Sequence, residues 1–171
     1  MTIQHTWRNA LTLLAGGRSR FEPVAAVDLP QFMGPWRVLA VMDNPVERKF
    51  VDAVETYRMR PKNRIAVTFH WRDNSFEGPQ QTHRFTGRVV DPGRNALWKM
   101  NVFPMISAKY VIIGLADNYE WAAVGHPSRH FAWILARDAS LSPEVMTRIH
   151  AIFQRQGFNT EKFRKIPHQA P

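Results

Sequence analysis

The sequence predicts an all-β protein in which eight antiparallel strands close into an up-and-down barrel, or calyx. From Val27 to Arg137, apolar and polar residues alternate with a period of two, which is typical of half-buried strands. Turn-forming residues interrupt this alternation at fairly regular intervals. Eight strands with short connections pair sequentially, and closure of the sheet leaves no exposed edge.

The first twenty residues predict a short amphipathic helix ahead of the barrel. Ile3, Trp7, Leu11 and Leu14 recur at helical spacing, and Gly16-Gly17 follows them. We expect this helix to pack against the domain, with a membrane-surface role as the alternative. The predicted division is an N-terminal extension over 1–26, a barrel domain over 27–166 and a tail over 167–171.

Eight strands are predicted within the barrel domain. They lie near residues 36–42, 50–59, 64–71, 82–90, 96–103, 109–115, 119–125 and 130–137. The breaks between them contain segments such as Asp91-Pro92-Gly93 and Asp117-Asn118, whose residues favour turns.

One helix is predicted after the strands, over about 143–156. Ser142 is placed as its N-cap, Pro143 occupies the first helical position, and Gly157 ends it. Its apolar face, which we expect against the outside of the sheet, consists of Val145, Ile149, Ile152 and Phe153.

The amino-acid composition of the chain argues against several classes of function. The chain has no cysteine, so we expect no disulfide, no thiolate metal site, no thiol nucleophile and no acylated-cysteine anchor. The net charge of +9 is spread along the chain, which favours a solvated basic surface over specific nucleic-acid binding. No apolar run approaches the roughly 20 residues that span a bilayer, and no convincing signal peptide is present.

In a closed sheet every second side chain points into the lumen, and we assign the apolar face of each strand to it. Met42 shares the inward face assigned to the first strand. The residues predicted to contact a ligand in the lumen are Val38, Ala40, Ala53, Glu55, Tyr57, Val67, Phe69, Trp71, Phe85, Trp98, Met100, Tyr110 and Trp133.

Glu55 is the main polar candidate, because its alternation places a carboxylate on an otherwise apolar inward face. A buried carboxylate must be paired, protonated or reached by water, and His83, Arg84 or a ligand head group are the expected partners. A structural role, ligand contact and general-base catalysis remain open for it. We assign no catalytic residue, although a barrel enzyme that acts on an apolar substrate through Glu55, Tyr57, Tyr110 or a histidine is the alternative.

No cofactor or metal is predicted. The seven histidines show no metal-ligand spacing, and the chain has neither a nucleophile elbow nor a phosphate-binding glycine loop.

Several motifs resemble those of the lipocalin family. Gly34-Pro35-Trp36 is similar to the opening motif of that family, and later segments resemble its bacterial branch, which is similar to apolipoprotein D. Those segments are Tyr57 within 55–57, then 110–115, 119–125, 127–129 and 133–137. The resemblance extends from about Val27 to Ile166. The chain departs from the family in having Arg37 and Val38 after the tryptophan and in lacking a lipobox cysteine.

The resemblance implies a calyx that binds, stores or transports fatty acids, lysophospholipids or similar apolar molecules without catalysis. It also implies that Trp36 closes the base of the barrel and that Arg137 packs over its indole, both as structural residues. Arg84, Arg88 or Lys109 would meet an anionic head group. A membrane surface is a possible further partner, the oligomeric state is not indicated, and only the resemblance suggests the cell envelope.

Overall fold

The computed structural model describes residues 21–169, and within them eight antiparallel strands close into a barrel. The predicted fold class is therefore confirmed. The strands are β1 (Gly34–Met42), β2 (Phe50–Arg60), β3 (Arg64–Asp73), β4 (Gln80–Val89), β5 (Leu97–Phe103), β6 (Ile106–Leu115), β7 (Trp121–Gly125) and β8 (Ala132–Ala136). The helix predicted on Ile3, Trp7, Leu11 and Leu14 lies outside the described residues.

Each strand pairs with its sequence neighbours, and β1 pairs with β8 to close the barrel. The chain enters β1 at one end of the barrel, called the closed end below. The loops 43–49, 74–79, 104–105 and 126–131 surround the opposite end, called the open end.

Two helices flank the barrel. The predicted long helix is confirmed as α2 (Pro143–Arg155), and the Ser142 hydroxyl oxygen accepts a hydrogen bond from the Val145 N–H at 3.3 Å. The sequence analysis missed α1 (Leu29–Phe32), a single turn capped by Asp28, because four residues are too few to show a helical period.

A ninth strand, β9 (Phe163–Lys165), was also not predicted. It pairs with β1 from Ala40 to Met42, where β1 has separated from β2. The chain then continues along the same gap, because the Ile166 N–H donates to the Leu39 carbonyl and the Asp52 N–H donates to the Pro167 carbonyl, both at 2.8 Å. The C-terminal segment thus completes the wall between β1 and β2 at the open end.

The described apolar residues form two cores, one inside the barrel and one between the barrel and α2. Ala40 and Met42 belong to the second core, so the prediction that they face the lumen is wrong. The pairing of β1 with β8 shifts register between Val38 and Ala40. This irregularity inverts the alternation, and Val41 takes the inward position instead.

The ladder between β4 and β5 is short. Its register pairs extend from Val89 with Trp98 to Thr86 with Asn101 and stop there, whereas β4 begins at Gln80. The ladder of backbone hydrogen bonds therefore has a gap between these two strands toward the open end.

Candidate functional site

The closed end of the barrel is sealed by Trp36 and the residues around it. The Trp36 indole is fully buried, and its N–H donates to the Phe32 carbonyl at 2.7 Å. The Arg137 guanidinium carbon lies 3.8 Å from the centroid of this indole. Its nitrogens donate to the carbonyls of Pro35 and Gln31, both at 2.8 Å. This set of contacts fastens α1 across the barrel and leaves no route for a ligand at that end.

An internal cavity of about 70 Å³ lies between the middle of the barrel and the open end. Six of the residues predicted to contact a ligand line it. They are Glu55, Phe69, Phe85, Met100, Tyr110 and Trp133. Lys109, predicted as a contact for a ligand head group, also lines the cavity.

Six other predicted residues point into the barrel but lie away from the cavity wall. They are Val38, Ala53, Tyr57, Val67, Trp71 and Trp98. Trp98 is fully buried and stacks on Tyr110 with the ring centroids 5.3 Å apart, while Phe32 meets its edge at 5.2 Å. Large side chains therefore fill the half of the barrel near the closed end.

The structure adds Glu47, His83, Val102, Ala108 and Phe131 to the cavity wall. Glu47 lies on a short helical turn between β1 and β2, where no alternation exists to reveal an inward side chain. Val102 and Phe131 belong to inward faces that the alternation does indicate.

Glu55 lies at the end of a chain of hydroxyl groups. It shares a face of β2 with Tyr57, whose hydroxyl donates to its carboxylate. The hydroxyl oxygens of Tyr57 and Tyr110 are 2.6 Å apart. The prediction that His83 or Arg84 is the partner of Glu55 is therefore wrong, because Tyr57 takes that position and Arg84 is exposed.

Burial is the main cause of an unusual pKa for Glu55. It raises the pKa of this carboxyl to about 7, the hydrogen bond from Tyr57 lowers it in part, and the charge of Glu47 raises it further. Burial and the proximity of Glu55 also raise the pKa values of Tyr57 and Tyr110 well above 10. Both tyrosines therefore remain protonated at neutral pH and can donate toward Glu55.

Glu47 is a second carboxyl at the cavity. The Trp133 indole N–H donates to it at 2.9 Å, and the Asn44 side-chain amide donates to its other oxygen. Burial raises the pKa of Glu47, while these two donors and the charge of Arg164 act in the opposite direction. The cavity thus contains two acids whose pKa values are raised by burial.

His83 bridges the gap between β4 and β5. Its Nε2–H donates to the Val102 carbonyl at 2.7 Å, and its ring lies against Phe85 and Phe103, with centroids 5.3 Å and 5.0 Å away. This side chain therefore separates the cavity from the outside of the barrel at the point where the ladder has ended.

The described part of the chain, residues 21–169, contains no group of three or more side chains suited to hold a metal ion. In the same range no helix is long and apolar enough to cross a membrane. The arrangement is an apolar pocket with two acids, a tyrosine hydroxyl that bonds to a second tyrosine behind it, and a histidine at its edge.

The family model for a lipocalin-like domain matches residues 27–168. The chain belongs to the lipocalin family. Among its relatives is the outer membrane lipoprotein Blc of Citrobacter freundii, which is 32% identical over 135 residues, covering 79% of this chain and 76% of the relative. The protein of the same name from Escherichia coli K12 is 30% identical over 139 residues, covering 80% and 76%. The resemblance to bacterial lipocalins is thereby confirmed.

Solved lipocalin structures share the fold. Insecticyanin from the tobacco hornworm Manduca sexta superposes with a TM-score of 0.69 at 17% identity, covering 88% of this chain and 86% of that protein. Lipocalins bind small hydrophobic ligands and are generally binding or transport proteins. The name of the Blc relatives agrees with the cell envelope that the resemblance suggests.

Proposed function

We propose that this lipocalin binds a single-chain amphiphile, a fatty acid or a lysophospholipid, with the acyl tail in the cavity and the anionic head group near Lys109. The observation that carries this proposal is the distribution of charge around the cavity. Both buried acids, Glu47 and Glu55, face the interior, whereas the exposed cation Lys109 extends from the cavity wall to the outer face of β6, where a head group that leaves the cavity would meet it.

The cavity wall suits an acyl tail. Phe69, Phe85, Met100, Val102 and Phe131 supply apolar surface, and each buried methylene of a tail contributes about 0.8 kcal/mol. Most of the affinity then comes from the tail.

Binding requires the cavity to enlarge. Its volume of about 70 Å³ is well below the roughly 300 Å³ at which ligand pockets begin. Met100 is the side chain best suited to move, because its unbranched thioether has several accessible rotamers. Its sulfur packs where Gly87 has no side chain, 2.3 Å from the position that a Cβ would take. Phe85 and Trp133 are only half-buried and line the same cavity.

The acids determine the orientation of the ligand. An anionic head group at the inner end would be repelled by Glu55 and Glu47, and repulsion in a poorly solvated site is stronger than in water. The head group therefore points outward, toward Lys109.

Displacement of a fluorescent fatty acid tests this proposal. We expect Lys109→Glu to weaken binding of a fatty acid about tenfold, as a charge-assisted contact of about 1.4 kcal/mol would. Binding of the fatty alcohol of equal length should change little. Lys62→Glu, an exposed lysine in the turn between β2 and β3, is the matched control.

Failure of the wild-type protein to bind either the acid or the alcohol would refute tail burial. Equal weakening of both ligands by Lys109→Glu would refute the orientation.

A further inference from the structure

The outer face of the sheet formed by β2 to β6 carries a row of cations aligned in register. Arg60 is paired with Arg64, Arg64 with Arg88, Arg88 with Lys99, and Lys99 with Lys109. Five cationic side chains therefore occupy one continuous line across five adjacent strands, and this set is called the cationic row below. We propose that the cationic row docks the protein onto an anionic membrane.

The alignment works against the stability of the fold itself. Like charges directly opposite each other on neighbouring antiparallel strands repel, and the row contains four such pairs in succession. None of its five members takes part in an ion pair within residues 21–169. An external anionic surface would relieve this repulsion.

No acidic side chain lies in the cationic row. The three acidic residues of β2 to β6 are Asp52, Glu55 and Asp73. Asp52 bonds to His168 and Arg37, Glu55 lines the cavity, and Asp73 forms an ion pair with Lys49 at 2.9 Å. The cationic row therefore contains no neutralising carboxylate, and its uniform positive charge attracts anionic lipid head groups.

The surroundings of the cationic row favour a membrane over a nucleic acid. An open groove of about 580 Å³ runs beside the row and is lined by Lys99, Arg84 and Met105. Met105 is fully exposed at the turn between β5 and β6, where an apolar side chain can enter a lipid interface.

The same groove leads to the gap in the ladder between β4 and β5, which His83 spans. It shares His83, Phe85 and Val102 with the internal cavity, and these residues border the gap between β4 and β5. A protein docked through this face would present the gap to the membrane. Docking itself does not depend on which ligand the cavity takes.

Co-sedimentation of the full chain with vesicles tests the proposal. We expect binding to vesicles of phosphatidylglycerol and phosphatidylcholine, and little binding to phosphatidylcholine alone. The double variant R88Q/K99Q should bind the anionic vesicles about 25-fold more weakly, at about fivefold for each cation removed.

The matched control is R148Q/R155Q. Both arginines are exposed on α2, which packs against β6 and β7 outside the cationic row, and their replacement lowers the net charge by the same amount. This control should bind anionic vesicles nearly as well as the wild type. Thermal unfolding of both variants establishes that they fold, and R88Q/K99Q should be no less stable than the wild type because it removes like-charge pairs.

Three results would overturn the proposal. Equal weakening in the two double variants would mean that only net charge matters, and equal binding of all three proteins would mean that the cationic row is not the contact. In the third result, a DNA duplex displaces the protein from vesicles at about 0.15 M salt, and R88Q/K99Q but not the control binds this duplex more weakly than the wild type. That result would assign the row to nucleic acid.

Discussion

Replacement of Glu55 by glutamine should change how stability depends on pH. The folded protein holds the pKa of Glu55 at about 7, against 4.5 for an ordinary glutamate. The folded state therefore binds more protons than the unfolded state between these values, and Glu55 makes the wild type less stable as pH rises through that window. Glutamine removes this penalty and keeps an oxygen that accepts the Tyr57 hydrogen bond.

The magnitude follows from the shift of about 2.5 pKa units. At 1.36 kcal/mol for each unit, and with the partial ionisation of the unfolded state at about pH 5, the penalty grows by about 2.5 kcal/mol between about pH 5 and pH 8.5. This figure is an upper bound, since water that reaches the cavity lessens the cost of burial. The difference in free energy of unfolding between E55Q and the wild type should grow by that amount.

Chemical denaturation of both proteins across this pH range measures the difference directly. A 2.5 kcal/mol change corresponds to a rise of about 5–10 °C in the Tm of E55Q relative to that of the wild type over this pH range. His126, whose pKa burial lowers to about 4, acts in the opposite direction, because its contribution to stability rises with pH up to about 6.5. Both proteins retain His126, so it cancels in the comparison.

Glu77→Gln, which replaces an exposed carboxylate in the loop before β4, is the matched control and should show no such trend. A difference between E55Q and the wild type that stays constant with pH, or that shrinks toward high pH, would refute the buried, half-ionised state of Glu55.

Three further predictions concern the closed end, the gap between β4 and β5, and the core between the barrel and α2. Trp36→Ala should lower the free energy of unfolding by about 3–5 kcal/mol through the cavity it leaves, as measured by denaturant titration, whereas a loss below 1 kcal/mol would contradict the sealing role. His83→Ala should speed ligand association about fivefold in stopped-flow measurements, because one hydrogen bond of about 1 kcal/mol is lost from the gap. His70→Ala, on the outer face of the same sheet, should leave the rate unchanged. Ile149→Ala should lower the free energy of unfolding by about 2–5 kcal/mol, because this side chain of α2 is fully buried against the barrel. The affinity for the ligand should not change.

Alternation and turn residues were sufficient to predict the barrel and its long helix. β3 buries only one face, so the pattern of Val67, Phe69 and Trp71 along it has one physical interpretation. The same rule failed at Ala40, because a register shift with β8 changes which side chains point inward, and no local pattern marks it. A strand of three residues such as β9 is likewise too short to show a period.

The cavity could be predicted only in part. Alternation assigns both Trp98 and Met100 to the lumen, yet Trp98 is packed among aromatic rings and Met100 lines empty space. Which side chains fill the barrel depends on contacts across the lumen between distant strands. The partner of Glu55 is local, because Tyr57 lies two residues along β2 on the same face. Only the contact between Tyr57 and Tyr110 depends on closure, since Tyr110 comes from β6.

The C-terminal segment between β1 and β2 has a consequence for the order of folding. β1 contacts β2 next to it in sequence, but its remaining partners, β8 and β9, come from the last part of the described chain. Hairpins from β2 to β7 can form early, because their contacts are local in sequence. The pairing of β1 with β8 and β9 requires segments more than ninety residues away. The first strand of the barrel is therefore the last to be fully paired. Until then, the backbone of β1 near the open end is available for pairing with another chain.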